Sequence, residues 1–197
     1  PEKHPWNDVF ESWKSEMESW MRMVGMDMDH VHPTEIPEGD RAHYSSRTID
    51  FEFDYPFGRK ELFGLAYRTD YDLARHAEFS RRDMMWENPE TKKKLVPHVI
   101  EPTFGLDRAL LAILLSAYDE EVVEGGETRT VLHLAKSIAP VKVAVFPLLK
   151  NKPELVAKAR EVFDSLRKDF VCEFDDNGNV GKRYRRQDEI GTPYCVT

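Results

Sequence analysis

From Thr48 to Tyr55 the chain alternates: Ile49, Phe51, Phe53 and Tyr55 fall on one side, Asp50, Glu52 and Asp54 on the other. A period of two predicts an antiparallel strand with one wet face. Pro56, Phe57 and Gly58 turn the chain, and residues 60–67 predict the returning strand of a hairpin. On a regular strand Glu61 shares a face with Phe63, Leu65 and Tyr67. A carboxylate among apolar side chains is costly unless partnered, which marks Glu61 as a site candidate. Upstream the period is helical. Val9, Phe10, Trp13, Met17, Trp20, Met21 and Val24 form one stripe between an Asn7 cap and a Gly25 stop. Downstream, Val99 and Ile100 suit a strand, and Pro102 biases Glu101 away from helical angles. Gly105 frees the backbone for a tight turn. Leu106, Leu110, Ile113 and Leu114 then predict a buried helix to about Tyr118.

Between these elements the signals are weaker. Residues 26–43 are rich in Met, Asp, His and Pro and read as loop. His30, His32 and His43 match no tight metal spacing, so no metal ligand is assigned. Asp70 and Asp72 start a short helix, and residues 77–95 read as a solvated connection. Residues 119–128 read as a loop and 130–134 as a short strand. After Ile138, Ala139 and Pro140 the pattern changes to a buried strand at 141–146 and a helix opened by Pro153. A strand at 170–174, a turn at 176–179, a helix at 182–187 and a last strand follow. Strand, helix, strand, helix, strand predicts an α/β unit with a mostly parallel sheet.

Composition narrows the class. Hydrophobic residues make up 41% of the 197, enough for a packed core. No apolar run reaches the ~18–20 residues that span a bilayer, and Pro1, Glu2, Lys3 and His4 show no signal pattern. Cys172 and Cys195 stand far apart without metal spacing, which suits the cytoplasm. The formal charge is −8, yet residues 138–197 carry 11 Lys and Arg against 9 Asp and Glu. An acidic body with a mildly basic tail fits RNA contact through the tail.

Glu101-Pro102-Thr103-Phe104-Gly105-Leu106-Asp107-Arg108, followed by an apolar helix, resembles motif 3 of the class II aminoacyl-tRNA synthetases, spanning 99–115. Its form is similar to that of the glycyl branch, the homodimeric type. Two further blocks agree: residues 60–73 resemble that branch's glycine-site strand and turn, and residues 181–193 a block of its anticodon-binding domain. Motifs 1 and 2 have no counterpart. The chain is therefore expected to be a piece of a longer protein, starting after motif 2 and stopping inside a strand.

The resemblance implies an α+β fold. Residues 1–137 form the last part of a class II antiparallel catalytic core, and residues 138–197 a truncated α/β anticodon-binding domain with a mixed, mostly parallel sheet. It implies ATP with Mg²⁺, glycine and tRNA(Gly) as partners, a homodimer in the full-length protein, and no membrane. The catalytic residues are Arg108 and Glu101. ATP falls to Glu61, Leu62, Gly105, Leu106, Asp107 and Arg108; glycine to Glu101, Pro102, Thr103, Phe104 and Gly105. Lys182, Arg183, Tyr184, Arg185 and Arg186 form the dense basic cluster. With Tyr184 as a stacking surface, that cluster is expected to face solvent and bind tRNA. Glu61, Thr103, Arg108 and Glu101 are expected to converge on one pocket. Alternatives stay open: strand carboxylates tied to Arg68 or Arg108 as structural pairs, an inactive synthetase-like accessory or RNA-binding protein, or a threonyl, prolyl or seryl enzyme. Without motif 2 the isolated chain is expected to be inactive.

Overall fold

A computed structural model describes residues 6–123 and 125–197. Pro1, Glu2, Lys3 and His4 lie outside them, as does Glu124 of the 119–128 loop. In chain order the elements are α1 (Trp6–Met23), β1 (Val31–Glu35), β2 (Arg47–Tyr55), β3 (Gly58–Thr69), α2 (Tyr71–Ser80), β4 (Trp86–Glu87), β5 (Lys94–Leu95), β6 (Val99–Phe104) and α3 (Leu106–Ala117). Then come β7 (Tyr118–Val122), β8 (Thr128–Leu132), β9 (Val143–Val145), α4 (Pro153–Leu166), β10 (Cys172–Phe174), α5 (Val180–Ile190) and β11 (Tyr194–Val196). They cluster into two compact units. One holds residues up to Trp20 with Met28–Ala109; the other holds Met21–Asp27 with Leu110–Thr197.

The first unit is built on an antiparallel sheet in the order β1-β2-β3-β6. The alternation of β2 sets its two faces: Ile49, Phe51, Phe53 and Tyr55 are buried, with Phe63, Leu65 and Tyr67 of β3 on the same side. Each fully buried Phe or Leu contributes roughly 1.5–3 kcal/mol. Trp6 stacks on Tyr67 with ring centroids 4.2 Å apart, and Trp20 meets Phe63 edge-on at 5.8 Å. Val9 and Trp13, assigned to the same helical stripe, are 45% and 43% exposed, so the buried stripe is narrower than the pattern suggested. β1 lies in the stretch read as loop. It is an edge strand, where Pro33 can stand opposite Phe51 although it has no N–H to donate.

Strand β3 is not regular. Phe51 pairs with Phe63 but Glu52 pairs with Glu61, so Leu62 is an extra residue. This bulge corrects the expectation that Glu61 faces the core. It turns Glu61 to the polar face with Gly64, and buries Leu62 and Phe63 in succession. A Cβ built on Gly64 would lie 3.8 Å from both the Asp50 and Glu61 carboxylate oxygens, which puts the three on one side. A second irregularity leaves Arg68 extra between the Tyr67–Ile100 and Thr69–Val99 pairs. Thr69 takes φ of 55°, strained for a β-branched residue.

In the second unit β7 and β8 form an antiparallel hairpin, and β10-β9-β11 form a parallel sheet as expected. α4 covers the parallel sheet through Ala159, Val162, Phe163 and Leu166. Arg129 of β8 bonds Glu121 and reaches Asp188 of α5 at 3.0 Å. Such contacts group residues 110–137 with the parallel sheet in compactness. The α3 leucines are a correction: Leu106, Leu110 and Leu114 are 82%, 55% and 38% exposed, while Ala109, Ala112 and Ala117 are buried.

Candidate active site and RNA-facing surface

Opposite residues of an antiparallel pair share a face. Asp50 pairs with Gly64, Gly64 with Thr103, and Ala66 with Glu101. Together with the two bulges this gathers Asp50, Glu61, Thr103, Glu101 and Arg68 along one polar trough. At one end β6 runs into α3. There a cavity of about 320 Å³ is lined by Glu61, Leu62, Phe63, Thr103, Phe104, Gly105, Leu106, Asp107 and Arg108. Every residue assigned to ATP from the sequence lies on it, with Thr103, Phe104 and Gly105 of the glycine set. Glu101 and Pro102 do not line it. Glu101 stands opposite Ala66, five residues along β3 from Glu61 and so about 16 Å away at the backbone.

Glu61 and Glu101 each have an arginine. Arg108 Nη1 donates to the Glu61 carbonyl at 2.8 Å and lies 3.4 Å from its Oε2. Both side chains are about half exposed, so the pair adds little stability. Arg68 is more enclosed: Nη1 donates to Glu101 Oε2 at 2.6 Å, and Nε and Nη2 grip Asp72 at 2.7 and 2.8 Å. The Tyr44 ring covers the guanidinium at 3.9 Å. Hydrogen bonding from Arg68 holds the Asp72 carboxyl below its usual range. At Asp50 the shift is opposite: burial, then the charges of Glu61 and Glu52, push the carboxyl up. Arg68, Tyr44, Asp72 and Asp50 had no site role in the sequence reading. The spacing Arg68–Asp72, four residues apart, was the available signal.

Gly105 departs from its expected role. Its φ is not positive, and an added Cβ would meet only Arg108 side-chain carbons at 3.8 Å or more. The turn does not need glycine for its own conformation. A larger cavity, about 600 Å³, is lined by Trp6, Val9, Tyr67, His98 and Ile100 on the apolar side of the sheet. Its polar groups are Asp70 and the Tyr67 OH bonded to His98 Nδ1 at 2.5 Å, among mostly apolar walls, and size alone does not make it the site. Among the described residues Asp119, Glu121 and His133 are close enough for a cation, but Asp119 and His133 are exposed and Arg129 already holds the half-buried Glu121.

The basic cluster divides. Lys182 and Arg185 are exposed, Tyr184 and Arg186 half-buried, and Arg183 is 1% exposed. The expectation of a solvent-facing cluster is therefore corrected for Arg183, whose guanidinium bonds backbone carbonyls beneath the loops. Arg186 bonds Asp175. Burial pushes the Asp175 carboxyl up, but the Asn177 N–H, Arg186 and the charge of Arg183 outweigh it and hold it below its ordinary value.

Residues 142–197 match the family model described as anticodon binding domain. "Glycine--tRNA ligase" of Lachnospira eligens is 48% identical over 188 residues, 95% of this chain and 40% of that protein. The protein of the same name from Geobacillus thermodenitrificans is 45% identical over the same shares, and that of Clostridium kluyveri 48% identical over 94% of this chain and 39% of its own length. The chain is homologous to the glycine–tRNA ligases. It spans about two fifths of the length of these relatives. The anticodon-domain match covers the parallel sheet, α4 and α5, whereas the similarity to the glycine–tRNA ligases extends through the antiparallel sheet and its cavity. No helix of the described residues is long and apolar enough to cross a membrane.

Proposed function

We propose that this chain is part of a glycyl-tRNA synthetase. Residues 1–137 supply the motif 3 side of a class II catalytic core, and residues 138–197 a tRNA-contacting domain. The observation that carries the reading is the cavity at the β6–α3 junction, where Glu61, Thr103, Gly105 and Arg108 meet. In the proposed reaction the glycine carboxylate attacks the α-phosphorus of ATP, pyrophosphate leaves, and a terminal tRNA hydroxyl takes the glycyl group from the adenylate. Such chemistry rests on positioning and on stabilising charge.

Arg108 suits the γ-phosphate. Only its Nη1 is bonded to protein among the described residues, and a guanidinium can grip phosphate oxygens bidentately. Gly105 lets the nucleotide approach the backbone. Leu62, Leu106 and Asp107 complete that wall. Mg²⁺ takes phosphate oxygens plus one or two carboxylates, and Glu61 offers that donor type beside Arg108. Glu101 keeps Oε1 for the glycine ammonium while Arg68 holds Oε2, with the Thr103 hydroxyl and the backbone of Pro102 and Phe104 alongside. Lys182 and Arg185, with Tyr184 and Arg186 at the margin, form the tRNA side. The same proposal extends to a cytoplasmic homodimer of the full-length protein.

The test is glycine-dependent pyrophosphate–ATP exchange by the 197-residue chain and by a full-length version. The full-length protein is expected to be active and the short chain not, because no arginine here sits in a motif 2 context to hold the α-phosphate. Losing one oriented donor removes about 10²–10³ in rate. Short-chain activity within about tenfold of the long one would refute this placement of the chemistry. One observation favours a second reading, an inactive accessory protein: Glu61 and Glu101 are already neutralised by Arg108 and Arg68. A full-length protein that binds tRNA without exchange activity would support it.

A further inference from the structure

Strands β9, β10 and β11 are parallel, so Val145, Phe174 and Val196 end at one edge of the sheet. The carboxyl edge is where α/β sheets receive ligands. Two loops leave it, residues 146–152 and 175–179, and α5 starts beside the second. Arg183 reaches beneath both loops. Its Nη1 donates to the Pro147 carbonyl, Nη2 to Gly178 at 2.7 Å and Asp176 at 3.2 Å, and Nε to Asn177 at 3.4 Å. Arg186 adds a bond to the Asn177 carbonyl at 2.9 Å and one to Asp175 Oδ2 at 2.9 Å. Asp175 Oδ1 in turn accepts the Asn177 N–H, and Asn179 caps α5 at Lys182.

No carboxylate among the described residues bonds Arg183, although burying a charge is expensive unless it is well compensated. Four backbone carbonyls do the compensating, and they come from two loops that the sheet alone leaves independent. We propose that Arg183 is a positioning residue for RNA: it does not touch tRNA but locks the two carboxyl-edge loops, so that the exposed Lys150, Lys152, Lys182 and Arg185 present a fixed set of cations. Fixing loops before binding removes an ordering cost from association. The inference rests on the proposed tRNA-binding function and adds where the surface lies and what holds it.

The experiment compares tRNA(Gly) affinity of the 197-residue chain across a salt series for wild type, Arg183→Lys, Asp175→Asn, Lys182→Ala and Arg185→Ala. Melting curves and amide exchange are measured alongside. Arg183→Lys keeps the charge but cannot span four carbonyls. It should weaken binding about tenfold, with faster exchange at 146–152 and 175–179, and leave the slope of log K against log salt unchanged. Asp175→Asn loosens the second loop without altering Arg183 and should act in the same direction. Lys182→Ala and Arg185→Ala should each lower the slope by about 0.7, as a lost phosphate contact does on single strands. A folded Arg183→Lys protein that binds like wild type overturns the inference. So does one whose slope falls like that of Lys182→Ala, because Arg183 then contacts phosphate directly. If Arg183→Lys fails to fold, Asp175→Asn decides by the same criteria. A wild-type chain that binds no tRNA overturns the functional proposal and the inference with it.

Discussion

Gly105→Ala separates a glycine needed by the fold from one needed by a ligand. At Gly105 φ is not positive, and a new methyl would find Arg108 Cβ and Cδ at 3.8 Å, an ordinary contact distance. The folded state therefore loses nothing by strain. The unfolded chain loses freedom, so stability is expected to be unchanged or to rise by about 0.4–1 kcal/mol. The same methyl enters the cavity where the proposed nucleotide lies. Overpacking costs roughly 1–3 kcal/mol, which corresponds to about 5–150-fold weaker ATP binding. Melting of the 197-residue chain and the ATP dependence of exchange by the full-length protein measure the two halves. A melting temperature several degrees lower would show that the turn itself needs glycine. An unchanged KM for ATP in a stably folded variant would show that no nucleotide approaches Gly105.

Three other outcomes are expected. Gly191→Ala should destabilise the chain by about 2–4 kcal/mol, read by thermal melting, because φ is 75° and the new Cβ would fall 2.7 Å from two Leu134 side-chain carbons and 3.0 Å from the Leu132 carbonyl. Arg68→Met should raise the KM for glycine in the full-length protein and lower stability by roughly 1 kcal/mol, discounted because Glu101 is partly exposed. Asp54 is held at about 2 by hydrogen bonds from Arg59 and then His32, against an ordinary 3.8. A depressed carboxyl stabilises the folded state above its unfolded value and loses that effect as pH falls toward 2, so the melting temperatures of wild type and Asp54→Asn should converge between pH 4 and 2.

What the sequence made legible follows the physics of each pattern. The β2–β3 hairpin was readable because one dry and one wet face impose strict alternation over residues 48–55, and burial follows it. The parallel unit was readable because its strands are short apolar runs broken by Pro153 and Gly178. β1 was not, because an edge strand with one buried residue carries no alternation and tolerates Pro33. Arg183 was unreadable from charge density: a run of arginines looks solvated until a structure shows which one points inward. Its partner in burial, Gln187, lies four residues on, and that helical spacing was the only hint. The α3 leucines failed in the opposite sense, since the helix buries its alanine side.

The bulges in β3 explain why residue type pointed to the candidate site while periodicity could not build it. A strict strand from Gly58 to Thr69 would put Glu61 on the face of Phe63 and Leu65, where an unpaired carboxylate is costly. The extra Leu62 reverses every side chain on its far side. Glu61 thus reaches the polar trough, and the space it vacates is filled by an apolar residue. The second irregularity, at Arg68, turns a guanidinium toward Glu101 on one strand and Asp72 on the following helix, next to the strained Thr69. Gly64 and Ala66 lie between the two and put little or no side chain into the trough. A carboxylate at one end, an arginine at the other and an open floor between them fit the small zwitterion and phosphate chain of the proposed reaction. Only the insertion of single residues into an otherwise regular hairpin sets them on the same side.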